Sequence, residues 1–210
     1  MDIVAVKIDK LQFFISPKLK RNKVLDSIID VGQSKFDKAA EILEKIQRIV
    51  TLDCIDKKLI DNSQHIRVNV FLPTLKHEKK GHTFVLKMPS LLMCGDYLDS
   101  EAEISFCCGQ GATGKVYETN KPDFNRSKNY RIPKYLEDKI HPGLKWWASY
   151  PLIDETQSVI GVLNIDGLNC ELPENEKGNL DNIIKHHKVD LEKELNKLPR
   201  IDLFVVYKSR

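Results

Sequence analysis

The stretch Ser149-Tyr150-Pro151-Leu152-Ile153-Asp154-Glu155-Thr156-Gln157-Ser158-Val159-Ile160-Gly161-Val162-Leu163-Asn164-Ile165-Asp166 decides the fold class. Two apolar runs, Lys145 to Ile153 and Ser158 to Leu168, flank the polar residues Asp154 to Gln157, and that pattern reads as an antiparallel hairpin. Upstream, His65 to Thr74 alternates with period two. Ile66, Val68, Val70 and Leu72 fall on one face and Arg67, Asn69 and Phe71 on the other, which predicts a strand buried mainly on its apolar side. A charged loop from Leu75 to His82, closing on Gly81, leads into a return strand from Thr83 to Met88. Glu103 to Cys108 reads as a third strand running into a glycine-rich turn. Strands joined mostly by hairpins predict an α+β fold: a mainly antiparallel sheet with flanking amphipathic helices.

Those helices lie at either side of the strand block. Between Asn22 and Val50, apolar residues from Leu25 and Ile28 through Leu43, Ile46 and Val50 recur at three- and four-residue steps, with Gly32 read as a break between two helices. From Glu174 to Leu198, Leu180, Ile184, His187, Leu191, Leu195 and Leu198 form a coiled-coil-like seam. At the ends, Ile3 to Ile8 and Ile201 to Tyr207 are strand-like and could pair with each other or with a partner's sheet. Asp123 to His141 reads as an irregular connection with one small helix after Pro133.

Composition narrows the function classes. With 210 residues, 30% charged and 41% hydrophobic, the chain has the usage of a folded globular domain. A formal net charge of +3 and scattered basic residues do not mark a nucleic-acid binder. No apolar run approaches the roughly 18 residues of a membrane span, and Lys7, Asp9 and Lys10 interrupt any signal-peptide core. The five cysteines (Cys54, Cys94, Cys107, Cys108 and Cys170) include no C-x-x-C pair, a pattern expected of a reducing, cytoplasmic setting. Adjacent His186 and His187 diverge on a helix and cannot chelate one metal together, and no cofactor is named by the residues.

Gly109-Gln110-Gly111-Ala112-Thr113-Gly114 matches G-x-G-x-x-G between a strand and a helix. A dinucleotide-binding unit also needs a full crossover helix and a second parallel strand, whereas Pro122 stops this helix early. The phosphate-loop pattern fails as well, because Val116 follows Lys115. The motif is read as a turn.

Three blocks together resemble a GAF domain: Arg67 to Pro73, the turn and helix from Gly109 to Glu118 followed by Lys121-Pro122, and the closing hairpin. The resemblance implies a sensor domain over residues 24–199 with flanking helices, an N-terminal extension over 1–23 and a tail over 200–210. It further implies a pocket between the sheet and the irregular connection, and helices on which two chains could form a homodimer. One branch of that family, the free methionine-R-sulfoxide reductases, is catalytic and uses cysteines and carboxylates. Here Thr113 stands where the resemblance places a cysteine, Trp147 where it places a glutamate, and Asn164 where it places one of two aspartates, leaving Asp166. The expected function is therefore a non-enzymatic small-molecule sensor with no catalytic residues assigned. The alternatives are a ligand-free dimerisation module and a diverged redox enzyme. No output domain fits the remaining residues, so a separate output protein is the expected partner.

By the same resemblance, Trp147, Ser149, Asn164 and Asp166 share the pocket face. The connection adds Arg126, Lys128, Tyr130 and Arg131 among further basic residues, an arrangement suited to an anionic, planar ligand such as a nucleotide. The plainer reading of that basic stretch is a solvated loop.

Overall fold

Strand alternation sorts the sheet's side chains into two buried layers, and that division positions everything else. The computed structural model describes the backbone of residues 5–8, 11–14, 22–61, 65–78, 81–130, 132–197 and 201–203, and the side chains of most residues between 36 and 197. Among these, one sheet contains β3 (Ile66–Glu78), β4 (Gly81–Lys87), β5 (Met93–Cys94), β6 (Ser105–Phe106), β7 (Asp123–Arg126), β8 (Leu144–Ile153) and β9 (Val159–Leu168). The order is β6-β4-β3-β9-β8-β7, with β5 also pairing β3, and every pairing is antiparallel. The α+β class expected from the hairpins is the observed one.

On one face, Ile66, Val68, Val70, Trp146, Ala148 and Ile165 form a core with two helices. These are α1 (Asn22–Asp56) and α5 (Lys177–Leu195). Ala39, Leu43, Ile46 and Val50 of α1, and Leu180, Ile184, Leu191 and Leu195 of α5, are buried in that same core. Those four positions of the α5 seam are thus covered by the domain itself. Polar ties add to it: Gln47 donates to the Ile66 carbonyl (2.8 Å), and the Tyr150 hydroxyl donates to Asp181 (2.7 Å). The expected break at Gly32 does not occur, because α1 runs through it. A mid-helix glycine costs only about 1 kcal/mol, which a long packed helix absorbs. α1 ends where Lys58 turns left-handed (φ 57) and the Lys58 and Leu59 N–H groups bond back to Ile55 and Cys54, closing its last turn.

The opposite face is covered by short elements: α2 (Asp99–Ala102), α3 (Gly111–Thr119) and α4 (Lys134–Glu137). Phe71, Leu86, Ile104, Val116, Leu136 and Val162 make a second, smaller core there. This corrects the reading of β3 as buried mainly on one side, since Arg67, Asn69 and Phe71 are only 2–3% exposed. A strand paired on both edges in a sheet covered on both faces has no solvent side.

Further differences concern the connection. The third strand shrinks to Ser105–Phe106, leaving Cys107 and Cys108 in the following turn. The charged loop is shorter than expected, because β3 and β4 pair out to Glu78 and Gly81. β7 was not expected from a polar run, but it pairs with β8 through its backbone and anchors Phe124 on Trp146, rings stacked at 6.0 Å. At the ends, β1 (Ala5–Ile8) pairs with β2 (Leu11–Phe14) and with β10 (Ile201–Leu203), so the two termini do share a small antiparallel sheet. Among the described residues, no helix is long and apolar enough to cross a membrane.

Candidate functional site

The face of β3, β8 and β9 that turns away from α1 and α5 is the floor of a cavity of about 100 Å³. Water-sized voids need about 10–15 Å³ each, so this space suits a molecule of roughly seven to ten non-hydrogen atoms. The floor carries Arg67, Asn69, Asn164 and Asp166; Thr113 of α3 and Glu101 of α2 close it from above. The walls are apolar, with Phe71, Met88, Ile104, Phe106, Leu136 and Trp147 among them. Tyr130 meets Trp147 edge-on, 5.1 Å between ring centres.

Arg67 organises the floor. Its Nη1 and Nη2 donate to the two Glu101 carboxylate oxygens (2.7 Å each), Nη1 also to the Asp96 carbonyl (3.0 Å), and Nε to Asp166 Oδ2 (3.1 Å). The Tyr97 ring lies 4.3 Å from the guanidinium carbon. Glu101 in turn accepts the backbone N–H groups of Leu98 and His141, so one ion pair fastens two stretches of the connection to the sheet. Burial raises the Asp166 carboxyl to about 6, with Arg67 opposing the rise and Glu101 adding to it. The Tyr97 phenol is pushed well above its usual value, first by burial and then by Asp166.

Beside this cluster, Asn164 Nδ2 lies 3.2 Å from both Asn69 Oδ1 and Thr113 Oγ1, and Asn69 Nδ2 donates to the Tyr97 hydroxyl (2.8 Å). Asn164 Oδ1 is buried with no hydrogen-bond partner within the protein. An orphan acceptor of this kind costs about 1–3 kcal/mol unless something donates to it.

The expected site residues divide between the two faces of the sheet. Trp147, Asn164, Asp166 and Tyr130 line the cavity. Ser149 shares their face, opposite Asn164, but is fully buried where α3 packs on β8, and its Oγ has no partner. Arg126 pairs in register with Trp146, which faces the helices, so its side chain leaves on the far side of the sheet. There it binds Glu174 (2.6 Å) and the Leu172 carbonyl (2.9 Å). Lys128 is exposed beside Glu171, and Arg131 lies outside the described residues. Neither Arg126 nor Lys128 is among the residues lining the cavity: period-two geometry sends Arg126 to the other face, and Lys128 sits in the helical turn Ser127–Asn129 that follows β7.

Sequence reading missed Arg67, Tyr97 and Glu101 as site residues. An arginine alternating with valines in a strand between two neighbours was the available signal for Arg67; Tyr97 and Glu101 sit in irregular chain that has no periodicity to read. The glycine turn has a plain structural role. Gly109 and Gly111 take positive φ (77 and 63), and a Cβ on Gly114 would lie 2.2 Å from the Cys107 carbonyl oxygen. The motif brings the start of α3, and with it Thr113, down onto the cavity.

No cysteine is among the residues lining the cavity. Cys107 and Cys108 are exposed, while burial raises the thiols of Cys94 and Cys170 and pushes Cys54 from 9.0 to about 12, Asp53 adding to it. Native-state alkylation at pH 8 followed by peptide mapping should label Cys107 and Cys108 first. With its thiol raised from 9.0 to about 12, Cys54 holds roughly a thousandfold less thiolate at that pH and should react about a thousandfold more slowly. Equal labelling of Cys54 and Cys107 would show that this core opens freely. Among the described residues, no group of three His, Cys, Asp or Glu side chains could hold a metal ion.

No family model and no curated protein matches the chain. Among solved structures it is similar to one described as the structure of the GAF domain, at 15% identity and TM-score 0.47, covering 88% of this chain and 92% of that one. It is also similar to the GAF domain of an Acinetobacter phosphoenolpyruvate-protein phosphotransferase (15% identity, TM-score 0.46, 83% and 93% covered). A type II free methionine-R-sulfoxide reductase from Thermoplasma acidophilum aligns at 17% identity and TM-score 0.42, covering 72% and 96%. Similarity at this level assigns neither a ligand nor an activity.

Proposed function

We propose that the chain is a non-enzymatic, GAF-type sensor domain that binds a small molecule between its sheet and the connection spanning residues 89–141. Occupancy of that cavity would be read by a separate output protein. The observation that carries this reading is the buried, unpartnered Asn164 Oδ1 on the floor of an apolar-walled cavity. A folded chain tolerates such a group most readily where a ligand completes it. The redox alternative loses support from the absence of cysteines among the cavity's lining residues.

The connection supplies a route from ligand to surface. Arg67 holds Glu101, Glu101 holds the Leu98 and His141 backbone, and Ser100 Oγ donates to the Lys139 carbonyl (3.0 Å). A ligand touching Asp166 acts on the same arginine that fastens these segments.

Native mass spectrometry of the purified chain tests the reading, because it reports retained ligand and subunit stoichiometry together. A thermal-shift screen complements it. A ligand at one hundred times its Kd stabilises by about 2.7 kcal/mol, which for a chain of this size raises Tm by roughly 5–10 °C. A discrete adduct or a shift of that order supports the proposal. A protein that retains nothing and responds to no compound in a broad metabolite set would contradict it.

A further inference from the structure

We infer that the cavity takes a small organic cation, whose N–H group meets Asn164 Oδ1 and the Asp166 carboxylate and whose apolar body lies against Trp147, Phe71 and Phe106. This names the ligand class for the small-molecule site proposed above and rests on that reading.

A count of open valences on the floor leads to it. Arg67 has five N–H groups; four already go to Asp166, the Asp96 carbonyl and the two oxygens of Glu101, and the Tyr97 ring covers one face. An incoming anion would find one N–H, flanked by two carboxylates. Both amide hydrogens of Asn164 are engaged, by Asn69 and Thr113. Two acceptors stay open, Asn164 Oδ1, which has no partner within the protein, and the second Asp166 oxygen, since Arg67 binds only Oδ2; the Thr113 and Tyr97 hydroxyls and the second Asn69 amide hydrogen can still donate, but they carry no charge. Asn164 and Asp166 are two apart on β9, so both point into the same space.

Charge agrees with the valence count. Among the described residues, the ionisable ones lining the cavity, tyrosines aside, are Arg67, Glu101 and Asp166, two carboxylates against one guanidinium. Buried in an apolar surround, that imbalance favours a cation, to which an aromatic face of the Trp147–Tyr130 pair would add cation–π attraction.

Four compounds with one phenyl ring separate the terms. Benzamidine is a cation with N–H donors, benzamide is neutral with donors, phenyltrimethylammonium is a cation without donors, and benzoate is an anion. With the full chain at pH 7.5, calorimetry or ligand-observed NMR should find benzamidine bound at least tenfold more tightly than benzamide or phenyltrimethylammonium, and benzoate weakest. Asp166 titrates near 6, so it is charged at pH 7.5 and about nine-tenths neutral at pH 5, and benzamidine affinity should fall about tenfold across that range. The groups around Asp166 are Arg67 from β3, Glu101 from α2 and Tyr97 ahead of α2, with His141 beyond Glu101. Protonation of Glu101 or His141 would weaken a cation in the same direction, so Asp166→Asn decides the source: it should flatten the pH profile.

If that variant does not fold, judged by circular dichroism, the four-compound order and the wild-type pH profile still decide. Benzoate binding as well as benzamidine, or benzamide matching it, overturns the cation inference, and phenyltrimethylammonium matching it overturns the N–H contact to Asn164 and Asp166, while the small-molecule reading stands. Failure of all four to bind overturns it too, and the parent reading then survives only if native mass spectrometry or the thermal-shift screen finds another ligand.

Discussion

Replacing Arg67 with methionine should cost the fold about 3–5 kcal/mol, among the largest losses expected from any single substitution in this chain. The methionine fits the space, so packing is not the cause. Arg67 is 2% exposed and Glu101 3%, and removing the guanidinium strands Glu101 and Asp166 as unpaired carboxylates in an apolar surround. Urea unfolding followed by circular dichroism measures the cost. Its pH dependence identifies the mechanism: Arg67 opposes the rise of the buried Asp166 carboxyl, so without it Asp166 titrates still further above its value in the unfolded chain, and its share of the penalty is full at neutral pH and shrinks as acid protonates it. Neutralising the partners as well, in Arg67→Met with Glu101→Gln and Asp166→Asn, should recover most of the loss. A single variant within about 1 kcal/mol of wild type, or a penalty indifferent to pH, would mean that water reaches these carboxylates and the cluster is not a buried one.

Arg67 also marks the boundary of what the sequence made legible. Its place on the polar side of an alternating strand was readable, and so were both hairpins, the turn at Asp154, whose carboxylate accepts from the Thr156 and Ser158 N–H groups, and the stop after α3. These are local: period, turn chemistry and proline act over a few residues. Burial of the polar side was not readable, because the layer that covers it comes from residues 89–141, where α2 and α4 span four residues each and β5 and β6 two. Elements so short have no period. The same limit misplaced Arg126: without knowing that β7 pairs with β8, nothing in the charge pattern said which face it would leave by. The family resemblance, with which alternation in the long strands agrees, placed Trp147, Ser149, Asn164 and Asp166 on one face, and all but Ser149 are among the residues lining the cavity. Tyr97 and Glu101, remote in sequence and aperiodic, could be joined to them only by tertiary structure.

Truncating Trp146 to alanine should cost about 3–5 kcal/mol, whereas the same change at its neighbour Trp147 should cost much less and empty a cavity wall instead. The two differ because alternation puts them on opposite faces: Trp146 is 1% exposed against Phe124 and the helix-side core, and Trp147 is half-buried at the cavity. What fixes that assignment is Gly167. It pairs with Trp146 across the β8–β9 ladder, and a Cβ there would lie 2.0 Å from the indole Nε1 and 2.3 Å from Cε2. The indole occupies the space that glycine leaves. Gly167→Ala should therefore destabilise by about 1–3 kcal/mol alone, and by much less in a Trp146→Leu background, giving a coupling of at least about 1 kcal/mol in the double-mutant cycle. Additive costs would show that the indole moves aside freely and that this contact does not hold the register. If the coupling appears, it bears on the site directly, because a one-residue slip of β8 would turn Trp147 toward the helices and take the aromatic wall out of the cavity.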